Sequence, residues 1–206
     1  MQLIVLAASG ATGRQLTGQA LQRGHHVTAI ARRPERITVP DSDRLTRVAA
    51  DVHDPESIAR ALKDAETVLS GLGIAGGDPP GALTAGARAV VAAAPDRIIW
   101  LGAVGTGASA PAAGWATRTL LRAFMGAELT DKVAADSAVL AAGGTVFHAG
   151  PLSSGPLSRT RRTVGLTGVP KRLFPARVSR ATVAAAMLDE AETPRFPGVI
   201  AVPLER

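Results

Sequence analysis

The sequence predicts an α/β fold, a doubly wound parallel sheet with a small C-terminal lobe, and three observations carry that reading. First, a hydrophobic strand, Gln2-Leu3-Ile4-Val5-Leu6, opens onto a small-residue turn, Ala7 to Gly13, and then an amphipathic helix. Second, strand and helix patterns alternate strictly through the first three quarters of the chain, as right-handed crossovers between parallel strands require. Third, 206 residues at 46% hydrophobic and 19% charged suit one layered domain with a substantial core.

The elements follow in order. A helix is expected from about Thr12 to Arg23, with Leu16, Ala20 and Leu21 on one face and Gly24 as its stop. Val27 to Ala31 forms the second strand and Leu45 to Ala49 the third. Asp54 is a natural N-cap and Pro55 a natural first helical residue, so a helix runs from there to about Leu62. Thr67 to Ser70 is the fourth strand, and Gly71 to Gly81 a glycine/proline-rich loop. A helix over Leu83 to Ala94 and a strand over Arg97 to Leu101 come next. After a small-residue loop, Gly102 to Gly114, a helical region spans about Ala116 to Ala142, with Gly126 as its expected break. Thr145 to His148 is the sixth strand. From Gly150 the pattern loosens, leaving a helix near Ser179 to Glu190 and a last strand near Val199 to Val202. One domain, 1–206, is expected, with 150–206 as its loose, substrate-side segment.

Composition excludes several classes. The chain has no cysteine, which removes disulfides, thiolate nucleophiles and cysteine-ligated metals. No His-x-x-x-His pair or acidic cluster suggests a metal. The opening apolar run is too short for a signal peptide, and no stretch approaches the ~20 apolar residues of a membrane span. A cytoplasmic protein is expected. The net charge of +6 comes mostly from scattered arginines, and with no tyrosine and few other aromatics no nucleic-acid stacking platform is present. The alanine-rich helices at 83–94 and 116–142 offer faces on which a homodimer is possible.

The turn between the first strand and helix carries chemistry. In Ser9-Gly10-Ala11-Thr12-Gly13 the glycines permit a tight turn, close approach of a pyrophosphate, and a helix N-terminus aimed at the anion. This predicts a dinucleotide site. In sites that hold the adenosine ribose diol, an acidic residue ends the second strand. Here that place carries Arg32 and Arg33, which cannot accept from a diol but can clamp a 2′-phosphate through charge-assisted forks, favouring NADP(H). The competing reading is a solvated strand end before Pro34. Asp51 and Val52 fall beside the adenine position, or Asp51 simply caps its own turn. Leu72 and Gly73, with Gly71, give the backbone a close approach to the cofactor, or a plain turn.

The chain resembles the atypical short-chain dehydrogenase/reductase group, the NmrA-like and biliverdin reductase B-like (flavin reductase) branch, on motifs spread over nearly its whole length. Ser9 to Gly13 matches the glycine turn. Arg23-Gly24-His25-His26-Val27-Thr28-Ala29-Ile30-Ala31-Arg32 is similar to the family's second strand, and Ala49 to Asp54 to its "GDVxD" segment. Lys132-Val133-Ala134-Ala135-Asp136 resembles "KxxxE/D", Phe147 to Leu152 falls where "VRPGxL" is usual, and Val178-Ser179-Arg180-Ala181 resembles "ISRxD". The resemblance implies a Rossmann-type fold, and that Gly102, Ala103, Gly150 and Leu152 line the cofactor while Lys132 sits below the nicotinamide ribose.

The departures bear on chemistry. The first fingerprint glycine is Ala7. The family's catalytic tyrosine, four residues before the lysine, is Glu128; the serine after the fifth strand is Ala103; the arginine of "RPG" is His148; and Thr182 replaces the acid after "SR". Glu128 reads as a general acid or as half of an i,i+4 pair with Lys132. His148 ends the sixth strand, at the edge where α/β sheets bind ligands, and reads as a proton donor or as a packed strand histidine. Thr106 and Ser109 read as substrate-orienting hydroxyls or ordinary loop residues. His25 and His26 are expected to face solvent.

Two functions remain. One is an NADP(H)-dependent oxidoreductase that passes hydride to a small planar or carbonyl-bearing acceptor (flavin, quinone, tetrapyrrole or similar) without a Tyr-Lys dyad. The other is a non-catalytic NADP(H)-sensing regulator of the NmrA-like kind, consistent with the missing Tyr and Ser. A sugar-nucleotide epimerase fits less well, because that chemistry needs the tyrosine.

Overall fold

The computed structural model describes residues 1–74, 80–112, 115–170 and 174–205. Parts of the loops expected at Gly71 to Gly81 and Gly102 to Gly114 lie outside the described residues.

The elements are β1 (Gln2–Leu6), α1 (Ala11–Gln22), β2 (His26–Ala31), β3 (Leu45–Ala49), α2 (Pro55–Ala61), β4 (Thr67–Ser70), α3 (Ala82–Ala92), β5 (Arg97–Ala103), α4 (Trp115–Ala141), β6 (Thr145–Ala149), β7 (Leu152–Ser153), β8 (Arg162–Gly165), β9 (Val178–Ser179), α5 (Arg180–Glu192) and β10 (Ile200–Leu204). The main sheet runs β3-β2-β1-β4-β5-β6-β10-β8, and β7 pairs with β9 separately. All pairings are parallel except β10 with β8. This is the doubly wound Rossmann-type order with an antiparallel edge strand.

Alternation along the strands builds both cores, since successive side chains point to opposite faces. Leu3, Val5, Leu69, Ile99 and Phe147 pack with Leu16 and Ala20 of α1 and with Val183 and Met187 of α5. Ile4, Leu6, Val68, Ile98, Trp100 and Val146 face the other way, onto Ile58, Leu83, Val90, Ala135 and Val139 of α2, α3 and α4.

The C-terminal segment joins this frame as well as extending it. Alanines make α5 narrow enough to lie buried along most of its length against α1 and the sheet. Its N-terminus is capped by Ser179, whose Oγ accepts the Thr182 N–H. Buried Glu190 accepts the N–H groups of Arg195 and Phe196 (3.0 and 2.8 Å), tying the chain after α5 to that helix.

Three local expectations change. Gly126 does not break its helix: α4 is continuous from Trp115 to Ala141, because one glycine costs only about 1 kcal/mol against alanine and a long helix absorbs it. The loose region contains β7, β8 and β9, which are too short to give a periodic signal. His25 is not solvent-facing but buried, with Nε2 2.7 Å from Glu192 Oε1; a partner 167 residues away leaves no local trace.

Candidate active site at the carboxyl edge of the sheet

The site begins where β1 turns into α1. The Gly10 N–H donates to the Ala7 carbonyl at 3.0 Å, and the Arg14 N–H to the Gly10 carbonyl at 2.9 Å. Ala7 holds the turn at φ +59°, a left-handed conformation that costs a non-glycine residue about 1 kcal/mol. Gly13 is a steric necessity, since a Cβ there would lie 2.2 Å from the Ala7 carbonyl oxygen. Gly71, just past β4, abuts the same turn: its added Cβ would lie 3.0 Å from the Gly13 nitrogen. Gly10, the N-cap of α1, gives no side-chain cap, and the first helical turn contains no acidic residue. The N-terminal N–H groups are therefore left without a capping or acidic side chain of their own helix, an arrangement suited to a pyrophosphate. Ser9 is half-buried, Gly10 and Ala11 exposed, and Thr12 buried.

Arg32 and Arg33 stand exposed at the carboxyl end of β2, beside that turn, which the Ala8 N–H ties to the Ile30 carbonyl. Asp51 is used locally: its Oδ1 accepts the His53 N–H at 3.0 Å, and its own N–H donates to Ser57 Oγ. Asp54 caps α2 as the sequence indicates, accepting from Glu56 and Ser57 at 3.1 Å each. Val52 and Leu72 converge on Gly86 of α3, where an added Cβ would lie 2.6 Å from Leu72 Cδ2 and 3.3 Å from Val52 Cγ1. Gly86 is a residue that sequence reading missed, and a glycine inside a helical pattern was its only signal. Gly73 borders open space.

The ends of β5 and β6 hold a buried polar network. His148 Nδ1 lies 2.6 Å from Ser109 Oγ, and His148 Nε2 lies 3.1 Å from Asp136 Oδ2. Ser109 Oγ also accepts the Gly105 N–H at 2.9 Å and lies 3.0 Å from the Thr106 carbonyl oxygen. Both ring nitrogens of His148 are thus held by protein, and 1% of the residue is exposed. Gly102 makes room for the pair: a Cβ there would lie 2.7 Å from His148 Cδ2 and 2.9 Å from Asp136 Oδ2. Thr106 is buried too, with its hydroxyl donating to the Ala103 carbonyl at 2.9 Å. Sequence reading missed the role of Asp136, although it lies within the Lys132–Asp136 motif.

Lys132 is placed by that network. As the crossover between parallel β5 and β6, α4 runs against the strands, so moving toward its N-terminus approaches the carboxyl edge. Asp136 is level with Gly102 and His148, and Lys132, one turn earlier, stands about 6 Å further out, above the strand ends. It is half-buried, and its ammonium makes no hydrogen bond or close ion pair among the described residues. Burial pulls its ammonium below the ordinary lysine range, while the carboxylates of Asp136, Asp131 and Glu128 act in the opposite direction. Glu128, one further turn out, is exposed. Asp131 is committed elsewhere: its carboxylate accepts the Leu83 and Thr84 N–H groups at 3.1 and 2.9 Å, capping α3 from across the helix pair.

Beyond β6, a Cβ on Gly150 would lie 2.0 Å from the Ala176 carbonyl oxygen, so this glycine lets the segment before β9 cross the strand end. Val104, Gly150, Arg162, Pro170, Val202 and Glu205 help line a cavity of about 120 Å³ beside it. Leu152 pairs with Val178. Among the described residues no group of acids and histidines could hold a metal ion, and no helix is long and apolar enough to cross a membrane.

Comparison with known proteins agrees with this geometry. A family described as NAD(P)H-binding matches residues 7–194. The solved structure of a short-chain dehydrogenase/reductase from Veillonella parvula in complex with NADP superposes with a TM-score of 0.81 at 18% identity, covering 99% of this chain and 94% of that one. An anaerobillin reductase from Escherichia coli O157:H7 superposes at 0.79 and 19% identity, covering 100% and 97%. In sequence, a 3-diazoavenalumate denitrifying reductase from a Streptomyces species is 37% identical over 93 residues, 43% of this chain and 29% of the relative's length. With nearly the whole chain matched, and with the glycine turn, open helix N-terminus and sheet order the fold demands, this protein belongs to the NAD(P)H-binding family.

Proposed function

We propose that the chain is an NADP(H)-dependent reductase that passes hydride to a small planar or carbonyl-bearing acceptor without a Tyr-Lys dyad. The observation that carries this reading is Lys132: a half-buried lysine with a lowered pKa, without a close protein partner among the described residues, one turn above the ends of β5 and β6. When bound, the dinucleotide supplies the hydride, and the acceptor takes its balancing proton from water.

The chain's own residues bind and orient. The first turn of α1 receives the pyrophosphate, and Arg32 and Arg33 bracket a 2′-phosphate. Lys132 donates to the nicotinamide ribose hydroxyls and adds positive charge beneath the ring. Gly102, Ala103, Gly150 and Leu152 keep the strand ends low, so the acceptor lies flat over them. His148 acts as a positioning residue, holding the loop after β5 through Ser109 rather than giving up a proton.

The test is turnover by Lys132→Ala. NADPH oxidation with an accepted flavin or quinone should fall at least tenfold with the fold intact. Unchanged turnover would remove Lys132 from the mechanism.

Two observations favour a second reading, an NADP(H)-sensing regulator. The sequence contains no tyrosine, and His148, the strand-end candidate acid, has both nitrogens engaged. Saturable NADPH binding with no acceptor reduced, across flavins, quinones, biliverdin and simple carbonyls, would support it.

A further inference from the structure

The cavity beside β6 is lined by one arginine, Arg162, among the described residues. We propose that Arg162 is the anion anchor of the acceptor site, and that the preferred acceptor carries a carboxylate seated in the cavity between Arg162 and the end of β6. This deepens the reductase reading and rests on it.

Strand register places the residue. In the antiparallel pair, Arg162 of β8 lies opposite Leu204 of β10. In the parallel pair, Ala201 of β10 lies opposite Phe147 of β6, so Leu204, three residues on, is level with Gly150. Arg162 therefore stands on the carboxyl edge of the sheet, two strands from Gly150, about 10 Å away at the usual strand spacing. It lines the same cavity as Gly150 and Val104.

The charges around it leave it available. The preceding residue, Arg161, is paired with Asp189 at 3.0 Å. The Arg162 guanidinium has no ion pair or hydrogen bond among the described residues. Glu205 is the acidic residue of the lining, and it is committed to α5, accepting the Ser179 N–H at 2.8 Å. Burial pushes the Glu205 carboxyl up, but hydrogen bonds from Thr182 and Ser179 outweigh it and hold the group ionised, below the usual carboxylate range. Much of the remaining wall is apolar: Val104, Val169, Pro170, Pro175 and Val202. An unpaired guanidinium at the rim of an apolar cavity is suited to a flat organic acid, because its planar fork matches a carboxylate in two parallel hydrogen bonds.

The experiment compares benzoate with its neutral isostere benzamide, titrated by NMR into the full chain with and without NADPH. Benzoate should bind about tenfold more tightly than benzamide, and Arg162→Ala should erase that preference, the tenfold ratio corresponding to ~1.4 kcal/mol. Arg162→Lys should retain part of it, and both variants should keep the parent circular dichroism. Equal binding of the two probes, or a preference surviving in Arg162→Ala, would overturn the proposal. The arm without NADPH decides the matter even if the cofactor fails to bind, a failure that would count against the reductase reading instead.

Discussion

The backbone of Gly13 lies so close to Ala7 that a methyl group on Gly13 would come within 2.2 Å of the Ala7 carbonyl oxygen. That contact sets the curvature of the β1–α1 turn. Gly13→Ala should destabilise the protein by about 3 kcal/mol, because neither partner in the clash is a side chain that can rotate away. Chemical denaturation checks this. Ala7→Gly should be nearly neutral, within about 0.5 kcal/mol, because relief of the left-handed strain is offset by glycine's greater entropy loss on folding.

The proposed NADP(H) preference rests on Arg32 and Arg33. Replacing both by alanine should weaken NADPH binding about a hundredfold, the loss of two charge-assisted contacts, while leaving NADH within twofold. Fluorescence titration with each cofactor checks it. Equal affinity of the parent protein for NADPH and NADH would remove the phosphate clamp.

The His148–Asp136 pair is buried at a strand end, with Asp136 Oδ1 already lacking a hydrogen-bond partner. His148→Ala should therefore cost about 3 kcal/mol, since it leaves a carboxylate uncompensated in the interior. A double-mutant cycle with Asp136→Asn should show that the two losses do not add. Additive losses would mean that the contact contributes little.

Lys132 gives the apo protein a defined pH dependence. Its folded pKa lies below 10.5, chiefly through burial, so between that lowered value and 10.5 the unfolded chain binds more protons than the folded one. Stability should therefore rise with pH across this window, and Lys132→Met should remove that rise. At neutral pH the same substitution should stabilise the apo protein while weakening NADPH binding. Thermal melts across the alkaline range, with and without the cofactor, separate the two effects.

The sequence made legible whatever depends on neighbours in the chain. The Asp54-Pro55 cap, the β3 span and the glycine turn each follow from local chemistry, and all are present in the structure. Contacts made across the fold were not legible. Ser109 reads as one more small loop residue until β5, α4 and β6 bring it to His148, 39 residues away. The same holds for Asp131, which caps α3 from 47 residues away, and for His25 with Glu192. Gly126 misled for the opposite reason: a local breaker signal was outweighed by the length of the helix around it.

The most direct test of the account is to mix the purified protein with NADPH and follow cofactor absorbance as FMN, menadione, biliverdin and simple carbonyls are added in turn. The account expects saturable binding, followed by consumption of the cofactor with at least one acceptor, at a rate that Lys132→Ala lowers tenfold or more. Binding that persists unchanged against every acceptor would contradict hydride transfer, and an absence of saturable NADPH binding would contradict the site itself.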